Sequence, residues 1–151
     1  RTFSEVFENS SFWYVRGHGL FVASLDEFQI DYPQIRRQMN SSIVAKDLDS
    51  IGIKNEKNFL AHMLMGPNQI KTYLDNLEDT TINTDNNAYL EYQTPSEFMK
   101  KTKDIVEELL PWAGFDPHII QNISDADRIE LEKAWEKRKK RVLPELEESL
   151  N

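Results

Sequence analysis

One stretch dominates the pattern of apolar and polar positions: from Phe12 to Ser24, apolar and aromatic residues run almost without interruption on both sides of Gly17-His18-Gly19. Both arms are rich in strand-forming residues, and glycine permits the positive φ that a tight connection needs. This stretch predicts a β-hairpin with its turn at the glycines. Because alternate residues of a strand point to opposite faces, both faces are apolar, and we expect both to be covered.

The apolar residues that precede and follow the hairpin recur mostly at helical spacing, which predicts a largely helical chain. A short helix from Thr2 to Phe7 comes first. Residues 30–78 predict an insert of four short helices, whose short connections favour packing against one another. Their capping signals lie at Asp31, at Ser41 or Ser42, at Asn55 and at Gly66-Pro67. The apolar stripes of the second and third are Val44, Leu48 and Ile51, and Phe59, Leu60, Met63 and Leu64.

The second half of the chain predicts a turn, a short strand and two longer helices. Asn and Asp residues cluster from Asn83 to Asn87, and Tyr89 to Gln93 alternates as a third strand would. A capping signal at Thr94 to Glu97 opens one helix, and Ser124 opens a final helix that Pro144 kinks or divides. The expected core residues of these helices are Phe98, Thr102, Ile105 and Leu109, and Ala134 and Trp135. We therefore expect an α+β fold, mostly helical, with one hairpin and a short third strand.

Composition excludes several classes of function. The 151 residues are 39% hydrophobic and 29% charged and include no cysteine, which fits one domain with its own core and removes thiol catalysis and Cys-type zinc sites. A formal net charge of −8 argues against a nucleic-acid partner, because phosphate binding needs an excess of Lys and Arg. No apolar run approaches the roughly 20 residues of a membrane span. We expect a cytoplasmic location.

The three histidines are the first candidates for chemistry. His18, at the predicted turn, could act as a general base or a proton shuttle, although an isolated turn histidine is more often only exposed to solvent. His62 and His118 lie on different predicted elements, and no H-E-x-x-H spacing links them. We therefore predict no zinc site and no catalytic residue in this chain.

Two further motifs have structural explanations. Asn83, Asp85 and Asn87 have the spacing of the first ligands of a calcium loop, but neither the glycine nor the closing Glu of such a loop is present, so we predict no metal there. The basic run from Lys137 to Arg141 is flanked by glutamates. It is best explained as a solvated helix face, with contact to a membrane surface as the alternative.

Four features follow one another along the chain: RTFSEVFENS, the aromatic hairpin FWYVRGHGLFVAS, the helical insert, and INTDNNAYLEYQTP. In this order they resemble the C-terminal part of the spermidine synthase family over roughly Arg1 to Phe98. The resemblance is closest to bacterial spermidine synthase-like proteins that are often fused to membrane-transporter-like segments. The residues that match the late family pattern are Asn83, Thr84, Asp85, Leu90, Glu91 and Pro95. The sequence departs from that pattern at Asn86, where a second Asp is usual, and at Ala88, where a Pro is.

The resemblance implies a methyltransferase-type sheet with helices on both sides, in which the hairpin supplies the last two strands. The family transfers an aminopropyl group from decarboxylated S-adenosylmethionine, a relative of S-adenosylmethionine, to an amine such as putrescine. Its Gly-rich nucleoside loop and its catalytic Asp would lie before Arg1, so the resemblance implies no cofactor bound by these residues. Trp13 or Tyr14 would form a wall of the amine pocket, and the matched late residues would be structural. The turn from Arg16 to Gly19 is shorter than in authentic spermidine synthases, which argues against assuming polyamine specificity.

The chain opens Arg1-Thr2-Phe3 without an initiator Met or a signal peptide, and we expect a single domain from a longer protein, which transporter-like segments could anchor in a membrane. Residues 1–24 would end the sheet, 30–78 form the helical insert, 83–95 the turn and strand, and 96–151 the C-terminal helices. The expected partners are the N-terminal part of that parent chain and a second copy that pairs through the hairpin edge. A helical protein-interaction module without catalysis is the alternative function.

Overall fold

The computed structural model of the chain describes residues 1–78, 82 and 98–150. These residues form eight α-helices, two short 3₁₀ helices and five strands, which confirms the α+β class. The helices are α1 (Thr2–Val6), α2 (Tyr32–Met39), α3 (Ser42–Ser50), α4 (Glu56–Leu60), α5 (Pro67–Asp75), α6 (Phe98–Leu109), α7 (Asp125–Lys139) and α8 (Val142–Leu150). The 3₁₀ helices are Leu110–Trp112 and Pro117–Ile119. The strands are β1 (Asn9–Val15), β2 (His18–Ser24), β3 (Ile30–Asp31), β4 (Met63–Met65) and β5 (Ile120–Gln121).

The predicted hairpin is confirmed, because β1 and β2 pair antiparallel along their whole length. Its turn differs from the prediction of Gly17-His18-Gly19 and consists of Arg16 and Gly17, whose φ values are 47° and 85°. Two successive left-handed residues give a turn whose twist matches that of the flanking strands. His18 is therefore the first residue of β2, opposite Val15, rather than part of the turn.

A third strand joins the hairpin where the apolar pattern predicts a helix. β4 pairs antiparallel with β1, with Met63 opposite Trp13, and the amide of Tyr14 donates to the carbonyl of His62 over 2.9 Å. The prediction that Met63 and Leu64 continue a helix is therefore wrong. A short apolar run fits a helix or a strand equally well, and here a neighbouring strand decides it.

Strand β1 lies in the middle of the sheet, in the order β2-β1-β4, and its two faces enter two hydrophobic clusters. Phe12 and Tyr14 point into one, the Tyr14 core, and Trp13 points into the other, the Trp13 core. The Tyr14 core also contains Ala61, Leu64, Met65, Ile70, Val106, Ala113, Trp135, Val142 and Leu146. The Trp13 core also contains Ile30, Tyr32, Leu60, Met63, Ile119, Ile120 and Leu131. The sequence predicts that both faces of the hairpin are covered. This prediction is confirmed for β1 and is wrong for β2, whose residues His18 to Val22 are exposed.

The predicted helix starts within the described residues are confirmed, with caps or first residues at Asp31, Ser41, Asn55, Pro67 and Ser124. The start predicted at Thr94 to Glu97 lies outside the described residues. Two of these caps act through their side chains. The Asn55 side-chain oxygen accepts from the amide of Asn58 at 2.8 Å, and the Ser124 hydroxyl accepts from the amide of Asp127 at 3.1 Å. A capping side chain accepts from an amide two or three residues further along the chain, which the helix start would leave unpaired. Because the two residues are so close in sequence, this signal can be recognised from the sequence alone.

The faces of two helices differ from the prediction. Helix α3 buries none of its residues, and Val44 and Ile51 of its predicted stripe are 37% and 38% exposed. In α6 the buried residue is Val106, whereas Ile105 is 54% exposed; the side chains of Phe98 and Thr102 lie outside the described part of the chain. These faces depend on which neighbours a helix meets, which periodicity does not specify.

The last helical segment is divided, as predicted. Helix α7 ends at Lys139, and α8 starts at Val142, which places Pro144 in the first turn of α8. A proline is tolerated there because the amide it lacks would have no partner within the helix. Trp135 of α7 is buried in the Tyr14 core, and Ala134 packs against it, as predicted.

Candidate functional site

The hairpin has one covered strand and one exposed strand. On β2, the side chains of Leu20, Phe21 and Val22 are 51%, 53% and 45% exposed. Leu20 and Val22 lie on the Trp13 face of the sheet, and Phe21 lies on the Tyr14 face, where its ring stacks on Phe12 at 5.2 Å between centroids. Both faces of β2 therefore present apolar side chains to solvent.

The two outer sides of the sheet also differ in their backbone partners. In β4, the indole of Trp135 donates to the carbonyl of Met63 at 2.8 Å, and the amide of Gly114 donates to the carbonyl of Leu64 at 3.1 Å. These contacts occupy two backbone acceptors of β4. The outer side of β2 has no strand neighbour among the described residues. We call this outer side, residues His18–Ser24, the open edge.

Helix α1 packs beside the open edge through aromatic rings. Phe3 of α1 lies 5.2 Å from Phe21 and 5.0 Å from Phe7, centroid to centroid. Together with the contact between Phe12 and Phe21, these rings form a row of four phenylalanines on one face of the hairpin. Tilted ring pairs at these distances add about 0.5–1.5 kcal/mol each beyond the area they bury. The row fixes α1 to the hairpin but leaves the outer half of Phe21 in solvent.

Trp13 and Tyr14, the predicted pocket wall, both face the core of this chain. Trp13 is 8% exposed, its ring lies 5.2 Å from that of Phe59, and its indole donates to the hydroxyl of Ser11 at 2.8 Å. Tyr14 is 2% exposed. Both side chains are buried in this structure, and their role in an amine site stays a prediction.

A partly buried charged pair lies behind Tyr14, and sequence patterns did not predict it. The guanidinium of Arg138 is bonded to the carboxylate of Glu145 at 2.6 Å and donates to the carbonyl of Tyr14 at 3.3 Å. Arg138 is only 9% exposed. Burial raises the pKa of the Tyr14 hydroxyl, while the Arg138 charge opposes this and the Glu145 charge adds to it. This pair ties the corner between α7 and α8 to the middle strand.

Most of the interior of the basic run is therefore not a solvated face. Besides the buried Arg138, the Lys139 ammonium donates to the carbonyl of Ala113 at 2.7 Å and lies 5.2 Å from the centre of the Trp135 ring. The interpretation of the run as a solvated face is wrong for these two residues. A long charged side chain can bury its stem and still reach an acceptor, which a count of charges along the sequence does not reveal.

A second charged network joins α2, α4 and α7. The Arg36 guanidinium donates to Glu56 at 3.1 Å and to Asp127 at 2.9 Å, and Lys57 lies 2.9 Å from the same Asp127 oxygen. The hydroxyl of Tyr32 donates to Glu56 at 2.9 Å. Each group has an oppositely charged or hydrogen-bonding partner, so the network holds three helices together.

Hydrogen bonds within this network and burial shift the pKa values of its members. Hydrogen bonds from Lys57 and Ser124 hold the pKa of Asp127 well below its usual range. Burial and the hydrogen bond to Glu56 raise the pKa of Tyr32 to about 12. Perturbed groups also occur in structural ion-pair networks, and each of these groups is paired within the network, so we assign them a structural role.

The remaining candidate residues do not come together. His18 and His118 are exposed on separate elements, and His62 is partly buried with its Nδ1 2.8 Å from the carbonyl of Asn58. Burial lowers the pKa of His62. No group of three or more acidic or histidine side chains in the described ranges could hold a metal ion. The third strand predicted at Tyr89 to Gln93 lies outside the described residues, as do the matched family residues Asn83, Thr84, Asp85, Leu90, Glu91 and Pro95.

Comparison of the chain with protein-family models, with curated proteins and with solved structures finds no match. Among the helices described, none combines the length and the apolar content that crossing a membrane requires. The strongest candidate for a functional surface is the hairpin, because one strand is bonded to the buried Arg138 and the other is an uncovered apolar edge.

Proposed function

We propose that this chain is the C-terminal part of a spermidine synthase-like transferase, which moves an aminopropyl group from decarboxylated S-adenosylmethionine to an amine. The proposal rests on the ordered resemblance described above and on one observation from the structure. Strand β2 carries apolar side chains on both faces, yet it has a single described neighbour. This combination is typical of a strand inside a larger sheet that is covered on both sides.

In this proposal the chain contributes architecture to the transferase, and other segments carry the chemistry. Aminopropyl transfer depends on holding an amine in line with an electrophilic sulfonium, so rigid walls contribute to the rate. The partly buried Arg138–Glu145 pair and the two cores give β1 such rigidity. The Gly-rich turn joins two strands instead of a strand and a helix, so it does not fit a nucleoside loop of the family's type. We assign no nucleoside contact to these residues.

The proposal can be tested on the natural protein, recovered from its source cells with antibodies raised against this chain. The immunoprecipitate is irradiated with radiolabelled S-adenosylmethionine or its decarboxylated form. We expect a labelled protein larger than the 17.7 kDa of these residues, with labelling abolished by excess methylthioadenosine. The purified 151-residue chain is the control, and we expect it to stay unlabelled and to show no binding by calorimetry.

Two outcomes would contradict the proposal. Micromolar binding of decarboxylated S-adenosylmethionine by the purified chain would show that the nucleoside site lies in these residues, whereas the proposal places it in other segments of the transferase. Recovery of an unlabelled natural protein together with a second, specific protein would favour the interaction module instead. That alternative draws support from helix α3, where Ile43 is 73% exposed and no residue is buried.

A further inference from the structure

The open edge lacks the devices with which proteins protect an exposed strand. Natural edge strands are usually interrupted by charged side chains, prolines or bulges, which discourage pairing with another chain. From Gly17 to Leu25 the sequence contains no Lys, Arg, Asp, Glu or Pro. The one register shift in this sheet lies between β1 and β4, on the opposite side. The edge is therefore a regular seven-residue template for a further strand.

Charges flank this neutral strand with opposite signs. Arg16 lies in the turn just before β2, and Asp26 and Glu27 follow shortly after its end. When two copies of β2 run antiparallel about a two-fold axis at Phe21, residue 16 of one copy comes opposite residue 26 of the other. The same register sets Leu20 opposite Val22 of the second copy. Opposite charges and apolar pairs that face each other across strands both favour pairing.

We propose that the open edge binds the open edge of a second copy of this chain, antiparallel and centred on Phe21, so that the two three-stranded sheets become continuous. The occupant is a second copy because the edge is complementary to itself, in its apolar pairs and in its flanking charges. A two-fold axis makes each contact occur twice. The inference concerns the 151-residue chain by itself and does not rest on the proposed transferase function.

The test measures the mass of the purified chain by sedimentation equilibrium over a range of concentrations. We expect a reversible dimer of twice 17.7 kDa. Val22→Lys, which places a charge in the pairing, should weaken the dimer at least about tenfold. Ile43→Lys, on the exposed face of α3 and away from the sheet, is the matched control and should leave the dissociation constant unchanged. Circular dichroism of each variant establishes that it is folded.

A charge exchange tests the register. Arg16→Asp, an amino acid that tolerates the left-handed turn, brings like charges together and should weaken the dimer by about two- to fivefold. Adding Asp26→Arg in the same chain should restore the dissociation constant to within about twofold. A monomer at about 200 μM, or a dimer that Val22→Lys does not weaken, would overturn the inference. A dimer that Val22→Lys weakens but that the double variant fails to restore would overturn the register.

The dimer experiment measures the mass of the isolated chain. A negative result therefore has no bearing on nucleoside labelling of the natural protein. A monomeric chain with a labelled natural protein would contradict the dimer alone. A dimer with an unlabelled natural protein would contradict the transferase alone.

Discussion

The two strands of the hairpin have similar compositions and opposite environments. β1 places Phe12, Trp13 and Tyr14 in the interior with at most 8% exposure, whereas the facing residues Leu20 and Phe21 of β2 are about half exposed. Burial of an apolar side chain is worth about 25 cal/mol per Å² only where a neighbour removes it from water. β1 has β2 and β4 beside it and helices on both faces; β2 has β1 alone among the described strands.

Apolar content therefore shows where a strand forms, whereas neighbouring elements decide whether the strand is covered. β4 pairs with one side of β1, and Arg138 at the corner between α7 and α8 donates to the Tyr14 carbonyl. No described strand pairs with the outer side of β2. The following predictions compare a residue on the covered side with a matched residue on the uncovered side.

The largest expected difference is between Trp13→Ala and Leu20→Ala, which are partners across the hairpin. Removing Trp13 from its core should lower the free energy of unfolding by about 3–5 kcal/mol. Leu20→Ala should cost less than about 1 kcal/mol, because half of that side chain is already in water. Urea unfolding followed by circular dichroism at low micromolar protein measures both. Equal costs at that concentration would mean that β2 is covered in the monomer.

A smaller difference is expected between the two arginines that contact Glu145. Arg138→Met should lower the free energy of unfolding by about 2–3 kcal/mol, since it breaks a partly buried pair and removes the donor to the Tyr14 carbonyl. Arg141→Met removes a contact at 3.3 Å from a side chain that is 63% exposed, and should cost less than about 0.5 kcal/mol. Denaturant titration of both variants measures the difference. A neutral Arg138→Met would show that the pair does not stabilise β1.

The smallest difference is expected between two histidines: His62, whose carbonyl is bonded to β1, and His18, the first residue of β2. Burial lowers the pKa of His62 below 6.5, so between 6.5 and that lower pKa the unfolded state binds a proton that the native state does not. Stability should therefore fall as the pH drops through this interval and stay constant above it. His62→Gln should remove this slope, and His18→Gln, at an exposed position, should keep it. Urea midpoints measured from about pH 7.5 to pH 5.5 test this, and an unchanged slope in His62→Gln would refute it.

Local signals in the sequence predicted the features that depend on neighbouring residues in the chain. The hairpin and the helix starts at Asn55 and Ser124 are confirmed because turns and caps use side chains within a few residues of the backbone they serve. The strand at Met63–Met65 was missed because three residues carry too little periodicity. In α6, Leu109 packs against the Tyr14 core as predicted, but Val106 takes the buried place expected for Ile105, because the partner of that face comes from a distant segment.

The sequence likewise predicted only part of the candidate site. The apolar character of both hairpin faces was visible in the sequence, but the sequence did not show which arm is the open edge. The Arg138–Glu145 pair was not, because the sequence shows only a basic run beside acidic residues, and its contact with Tyr14 spans 124 positions. The Trp13 and Tyr14 side chains were expected at a pocket, and the structure places them in two cores.

Local sequence signals are enough to specify a hairpin among short helices, because strand preference, turn chemistry and caps act over a few residues. That one arm of the hairpin is the centre of the fold and the other its open edge follows from tertiary packing alone. Burial is a property of surfaces that meet in space, and the segments that cover β1 come from residues far along the chain.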